Sequence, residues 1–304
     1  MSLLVVGSVA LDTVKTPFGE ATDVLGGSAT FFSVAASYFT PVNIVATVGE
    51  DFPSGHLDFL RSRNIDVDGI ETGQGKTFRW RGEYGYQLNE AKTLETQLNV
   101  FERFAPKVPA AYREPSLVFL ANIDPTLQRD VLGQVKRPKI VACDTMNFWI
   151  SGKKPELERT LRDVDILLIN DGEARQLAGE VNLVKASRTI RGMGPRIVII
   201  KRGEYGALLF SDAAVFAAPA FPLEHVFDPT GAGDSFAGGF LGHLATHPSL
   251  EASNLSKAVI YGSVLASYCV EAFSLDRFRT LTRLEIQQRY REFKHLTFFE
   301  DVDA

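Results

Sequence analysis

With 304 residues, 45% of them hydrophobic, the chain carries enough apolar material for a large core and is not a disordered tail. Its formal charge of −5 and pI near 5.6 argue against a surface built mainly for nucleic acid or anionic lipid, so any anion it binds needs local donors. Cys143 and Cys269 are the two cysteines, each in an apolar stretch; they offer neither a disulfide framework nor a metal cluster and fit a reducing cytoplasm.

In chain order, Leu3–Gly7 is too short for a secretory signal or a membrane span and reads as a first strand. Asn43–Val48, Leu117–Leu120, Lys139–Cys143, Asp165–Ile169 and Arg196–Lys201 repeat that character. Near-continuous apolar runs suit parallel strands covered on both faces. Between them Ser28–Phe39, Ser54–Asn64, Pro125–Val135, Gly172–Ala178 and Val184–Met193 read as helices. The βαβα order predicts a three-layer, doubly wound α/β fold with a mostly parallel sheet. Residues 12–18 and about 76–100 break the rhythm with short alternating stretches punctuated by glycine. They predict a small antiparallel sheet, either a lid over a crevice or an ordinary surface hairpin. No repeat or Pro/Gly/Ser-rich linker marks a boundary, so residues 1–304 read as one domain.

The stretch most informative about chemistry is Asp228-Pro229-Thr230-Gly231-Ala232-Gly233-Asp234. Apolar residues at 232, 236, 240 and 244 keep helical spacing, so a buried helix begins within Gly231–Asp234. Its first turn offers free backbone N–H groups and the positive end of the helix dipole, and glycines let an oxyanion approach them. Asp234 sits in that turn, where the dipole is expected to keep it ionised, a weak base suited to phosphoryl transfer. A Gly-rich turn with an acidic helix-terminal residue has the same appearance.

The Asp-Pro-Thr-Gly-Ala-Gly-Asp run resembles the C-terminal signature of the ribokinase-like (PfkB) family of carbohydrate kinases, usually Asp-Thr-Thr-Gly-Ala-Gly-Asp; Pro229 departs from it outside the anion cradle. The resemblance implies Asp234 as catalytic base and Gly231, Ala232 and Gly233 as the anion hole. Gly26-Gly27 resembles the family's N-terminal diglycine and Asp12 its early acidic residue, which implies contacts to substrate hydroxyls. Asn170-Asp171-Gly172-Glu173 resembles the Asn-x-x-Glu motif, implying that Asn170 and Glu173 organise Mg2+ with Glu173 acting through water; the same residues also spell a capping box. Lys201-Arg202-Gly203-Glu204-Tyr205-Gly206 resembles the nucleotide-side motif, placing Lys201, Gly203, Gly206 and, further along, Ser263 beside ATP. The resemblance runs from the first strand to about residue 273 and implies a lid from residues 12–18 and 76–100, whose strands pair between subunits in a homodimer.

Two departures bear on the acceptor. Phe31 stands where the family usually has an Asn four residues after the second glycine, and Asp144-Thr145-Met146-Asn147-Phe148-Trp149 replaces Asp-x-Asn-x-Arg. Loss of the Arg disfavours a phosphorylated sugar or sugar acid. Phe31, Phe148 or Trp149 either stack on a nucleobase or pack the core, and Asn147 remains a candidate substrate contact. The expectation is an ATP-dependent kinase acting on a small sugar or ribonucleoside, without nucleic-acid or membrane partners; the alternative is a non-catalytic sugar or nucleotide sensor on the same fold. Gly75-Lys76-Thr77 lacks the earlier glycine of a P-loop, no Gly-x-Gly-x-x-Gly follows the first strand, and His243 has no metal-type spacing. Arg279, Arg283, Arg289 and Arg291 read as a solvated face of a terminal helix.

Overall fold

A computed structural model describes residues 2–298 and 300. Its strands are β1 Leu3–Val6, β2 Ala10–Thr16, β3 Gly19–Gly26, β4 Val42–Gly49, β5 Ile65–Gly73, β6 Arg79–Tyr84, β7 Ala91–Gln97, β8 Leu117–Leu120, β9 Ile140–Asp144, β10 Ile166–Asn170, β11 Ile197–Lys201, β12 Ala207–Phe210 and β13 Val215–Ala218. Nine of them form one sheet in the order β13-β12-β11-β10-β9-β8-β1-β4-β5, parallel throughout except for the β11–β12–β13 edge.

Strand alternation sends successive residues to opposite layers. Leu3, Val5, Phe119 and Leu168 pack under the helices Ser28–Ala36, Ala232–Thr246 and Ala252–Cys269. Leu4, Val6, Leu120 and Leu167 pack under Pro125–Leu132, Lys154–Leu161, Asp171–Ala178 and Leu183–Arg191. The three-layer α/β expectation is met. The sheet grows from β1 through β4 and β5 in one direction, and the chain then returns to β8 on the other side of β1. Such a reversal leaves a crevice beyond the carboxyl ends of the strands, where open α/β sheets bind ligands.

The second sheet has the order β3-β2-β6-β7, with antiparallel hairpins joined by a parallel β2–β6 pair. It is larger than its sequence suggests. β3 is mostly exposed along Gly19–Val24, so it has no apolar alternation to read. β5 was equally illegible because Asp66, Asp68 and Glu71 punctuate it at the edge of the main sheet. The Ser28–Phe39 helix ends at Ala36, closing in turns ahead of Pro41. Gly75-Lys76-Thr77 lies between β5 and β6, with Thr77 buried and bonded to Asp51 at 2.7 Å. Arg289 is not solvated as expected: it lies 3.5 Å over the Tyr268 ring and pairs with Glu271 at 2.7 Å. His243 is packed, bonding Asn254 at 3.0 Å. Both cysteines are buried and unpaired.

The helices Ser28–Ala36 and Ala232–Thr246 meet almost backbone to backbone. A Cβ on Gly238 would come within 2.4 Å of Phe32 O and 2.7 Å of the Ala35 Cβ. This crossing fixes where the two helix starts, and the residues just before them, sit relative to each other. Gly238→Val is therefore expected to cost about 1–3 kcal/mol of stability or more through overpacking; a urea midpoint equal to that of the unsubstituted protein would contradict this crossing.

Candidate active site

Two helices start at the crevice, and their first turns differ. At Ser28–Ala36 the protein itself fills the donors: Ser28 N–H donates to Ser8 Oγ at 3.0 Å and Ala29 N–H to Ser8 O at 3.0 Å. At Ala232–Thr246 the N-cap is Gly231, with φ 75° and no capping side chain. A side chain there would be strained by the backbone and would strike the Phe31 ring, 2.3 Å from an added Cβ. Ala232 N–H reaches Pro229 O at 3.2 Å and Ser235 N–H reaches Gly231 O at 2.8 Å, while among the described residues the N–H groups of Gly233 and Asp234 between them meet no backbone acceptor, the Asp234 N–H turning to its own carboxylate. This turn, at the positive end of a long buried helix, is an anion-binding start.

The turn is held from behind by Asp228, which accepts from Thr230 N–H at 2.9 Å and from Ser274 N–H at 3.1 Å. No separate role for Asp228 is legible in the chain, because its partner Ser274 lies 46 residues away.

Facing the open turn are the ends of the parallel strands: Asn122 after β8, Asp144 closing β9, Asn170 closing β10 and Lys201 closing β11. Lys201 Nζ bonds Asp144 Oδ2 at 2.9 Å, with side chains 17% and 7% exposed, and lies where a Cβ on Gly233 would meet it at 3.0 Å. Burial alone would lower the Lys201 ammonium, but Asp144, Glu173 and Asp234 around it hold it above its ordinary value.

Asp234 keeps some contact with solvent through the cleft but is otherwise enclosed. Burial, then repulsion from Asp144, pushes its carboxyl up to about 8 against the pull of Lys201. The expectation that the helix dipole keeps it ionised as a weak base is corrected: desolvation among other carboxylates outweighs the dipole. Glu173 is likewise pushed up to about 7, by burial and then by Asp144. The capping box spelled by Asn170 and Glu173 is present, and the pair also faces the cleft. Asn170 N–H donates to Glu173 Oε2 at 3.0 Å and Glu173 N–H to Asn170 Oδ1 at 2.7 Å.

Asp12, on β2, is buried and pushed up to about 7 by burial, eased by a bond from the Gly27 backbone and raised again by Asp228. Its carboxylate occupies the space beside Gly26, 1.9 Å from where a Cβ would stand. Gly27, with φ 96°, brings the backbone against Ser8 O. Asp12, Gly26 and Gly27 are thus one unit. The second sheet also touches the site: Thr230 Oγ1 donates to Tyr84 Oη at 3.3 Å, and Asn89 in the β6–β7 loop accepts from Glu204 N–H at 3.2 Å, beside the Gly203–Gly206 turn.

Three expected contacts fall elsewhere. Phe31 is 2% exposed, its ring backing the Gly231 turn, so it supports the cradle rather than opening onto a ligand. Asn147 is exposed at the start of the helix Asn147–Gly152 and does not line the cleft. Ser263 is buried within the helix Ala252–Cys269, also outside the cleft lining. Conversely, Asn122, Asp144 and Thr145 line the cleft without having been singled out as site residues. Asp144 alone left a trace in the sequence, as the surviving acid of the altered Asp-x-Asn-x-Arg run.

A larger surface hollow, about 490 Å³ against about 160 Å³ for this cleft, lies between Pro125–Leu132 and Lys154–Leu161. It has no convergence of buried polar groups comparable to Asp144, Lys201 and Asp234, and chemistry decides for the smaller cleft. Among the described residues no group of three or more His, Cys, Asp or Glu is arranged to hold a metal. The donor set still fits magnesium, an ion commonly held through waters and phosphate oxygens with one or two carboxylates nearby. Glu173 suits that task, with one oxygen committed to Asn170 N–H.

A parallel-sheet cleft combining an open helix start, a buried lysine and an enclosed carboxylate is the layout of a phosphotransferase. The sequence matches the family described as pfkB family carbohydrate kinase over residues 4–278. It is 30% identical over 261 residues to a cytidine kinase of Thermococcus kodakarensis, covering 83% of this chain and 91% of that protein. The nucleoside kinase of Methanocaldococcus jannaschii, a ribokinase-family structure, superposes with a TM-score of 0.75 at 19% identity, covering 96% of this chain and 98% of that one. A protein from E. coli described as ribokinase II and solved with ATP and Mg2+ superposes at 0.76 and 17% identity, covering 96% and 99%. The chain belongs to the pfkB family of carbohydrate kinases, and it is a kinase of a sugar or nucleoside.

The raised carboxyls tie stability to pH. Asp234 binds its proton more tightly folded than at its ordinary 3.8, so the stability it contributes is present at low pH and is lost as pH rises from about 4 to about 8. Asp234→Asn, which imitates the protonated form, is expected to exceed the unsubstituted protein in unfolding free energy by up to about 5 kcal/mol at pH 8, with the gap closing towards pH 4. A gap independent of pH would contradict the raised value.

Proposed function

We propose that the protein transfers a phosphoryl group from ATP to a hydroxyl of a nucleoside, with Asp234 as the base and the Gly231–Asp234 helix start as the anion hole. The observation that carries this is the open helix start at Gly233 and Asp234, set beside Lys201 and an enclosed carboxylate. ATP with magnesium supplies the transferable phosphoryl group. Asp12 accepts hydrogen bonds from acceptor hydroxyls, helped by the close backbone of Gly26 and Gly27. In its deprotonated form Asp234 takes the proton from the attacking hydroxyl, and its raised affinity makes that form a stronger base than an exposed aspartate. Lys201 and the two N–H groups draw off negative charge as the bond to the leaving oxygen lengthens, the larger part of catalysis for a loose transition state.

A nucleoside is favoured over a free sugar by two features. Next to the cleft, though not among its lining residues, Phe148 is 62% exposed and packed edge-on to Trp149 at 4.8 Å, an aromatic surface that suits a base better than a sugar. The Thermococcus relative, a cytidine kinase, matches along most of both chains. The small sheet serves as a lid, its β6 bonding the Asp228–Asp234 loop through Tyr84 and its tip bonding the Gly203–Gly206 turn through Asn89.

Purified protein incubated with ATP, magnesium and a panel of nucleosides and free sugars is expected to release ADP and a nucleoside monophosphate. Asp234→Asn should lower kcat about 10²–10⁴-fold, the usual worth of a positioned acid–base group, with the KM for ATP within about threefold. Retained turnover would remove Asp234 from its role, and binding without transfer across the whole panel would favour the sensor.

A further inference from the structure

The nucleoside reading leaves open how the base is recognised, and the wall formed by the ends of β8 and β9 carries an answer that rests on that reading. Asn122 follows β8 and lines the cleft beside Asp144, Thr145 and Met146. Its Oδ1 accepts a hydrogen bond from Trp149 Nε1 at 2.9 Å. An indole N–H is a donor and never an acceptor, so the bond fixes which way round the carboxamide stands. The oxygen belongs to Trp149, and the NH2 group, which meets no acceptor among the described residues, is left for the cleft.

The strand ends on either side of this donor are held firmly. Gln128, 1% exposed, spreads its amide NH2 over three carbonyls, Leu120 O at 3.3 Å, Ala121 O at 2.9 Å and Asp144 O at 3.0 Å, pinning the ends of β8 and β9 together. The ion pair of Lys153 with Asp124 fastens the far end of the Trp149 helix to the same segment. A second, separate sign of a missing partner lies next door. Thr145, 4% exposed, lines the same cleft, and its Oγ1 is one of six buried side-chain polar atoms without a hydrogen-bond partner among the described residues.

We infer that Asn122, oriented by Trp149, is a specificity-determining residue that donates a hydrogen bond to a lone pair on the edge of the acceptor's nucleobase. A sugar hydroxyl both donates and accepts, so a fixed donor discriminates little among free sugars. A base presents fixed atoms. Cytosine and uracil share a carbonyl, but at the neighbouring ring position cytosine offers a lone pair and uracil an N–H, which a fixed N–H donor repels. Sites built on such a bond discriminate strongly because the mismatched group is left unpaired. Trp149 acts through Asn122 and is a positioning residue.

The test is the ratio of kcat/KM for cytidine to that for uridine in the full-length protein. Asn122→Asp exchanges the NH2 donor for an acceptor of the same shape and is expected to lower the ratio at least about tenfold. Trp149→Phe keeps an aromatic ring but frees the carboxamide to turn over, and is expected to narrow the ratio as well. A merely structural role for either residue would depress both substrates together and leave the ratio alone. If both variants keep the ratio within about twofold of the unsubstituted protein, the inference is overturned while nucleoside phosphorylation stands. If the unsubstituted protein phosphorylates free sugars and no nucleoside, the nucleoside reading fails and this inference falls with it.

Discussion

The structure depends on one electrostatic constraint: carboxylates from three separate segments, Asp144, Glu173 and Asp234, converge around the buried ammonium of Lys201, and a fourth, Asp12, adds its repulsion to Asp234. Burying like charges together is unfavourable, and the cleft answers by holding protons. Asp12 and Glu173 are pushed to about 7 and Asp234 to about 8. The open helix start contributes positive potential without adding a charged side chain. A site of this kind is poor for stability and good for handling a proton and a phosphoryl group, a conflict common where function is built into a core.

The fold imposes this arrangement through strand ends rather than loops. β9, β10 and β11 each close on a polar residue after an apolar run, and their parallel registry sets Asp144, Asn170 and Lys201 along one edge. Across the cleft, the Asp228 bonds and the Phe31 ring brace the Gly231 turn, while the reciprocal Ser8 and Ser28 bonds tie the neighbouring helix to β1. Sites carried on rigid elements keep their geometry without a ligand to organise them.

Much of this was legible in the chain because the physics was local. Strands buried on both faces betray themselves as apolar runs, and the glycines before Asp234 announce a helix start that something must approach closely. What could not be read was long-range. β3 and β5 lie at edges with mixed exposure, so their residues carry no clean periodicity. The Lys201–Asp144 bond joins residues 57 apart, and Asn122 and Thr145 acquire meaning only once β8 and β9 lie side by side. Two expectations failed for the same cause. Phe31 in isolation suits a base-stacking surface as well as a core, and only the folded chain puts its ring under Gly231. The helix dipole acting on Asp234 is visible in sequence, whereas the burial and the neighbouring carboxylates that overrule it are not.

The proton held by Asp234 is the most direct point of access to this account. A titration of the aspartate side-chain carboxyls by 13C NMR, with the Asp234 signal assigned by its loss in Asp234→Asn, is predicted to place its midpoint near 8. A midpoint near the ordinary 3.8 would mean that the cleft does not crowd its carboxylates, and the picture of a charge-strained site would be wrong.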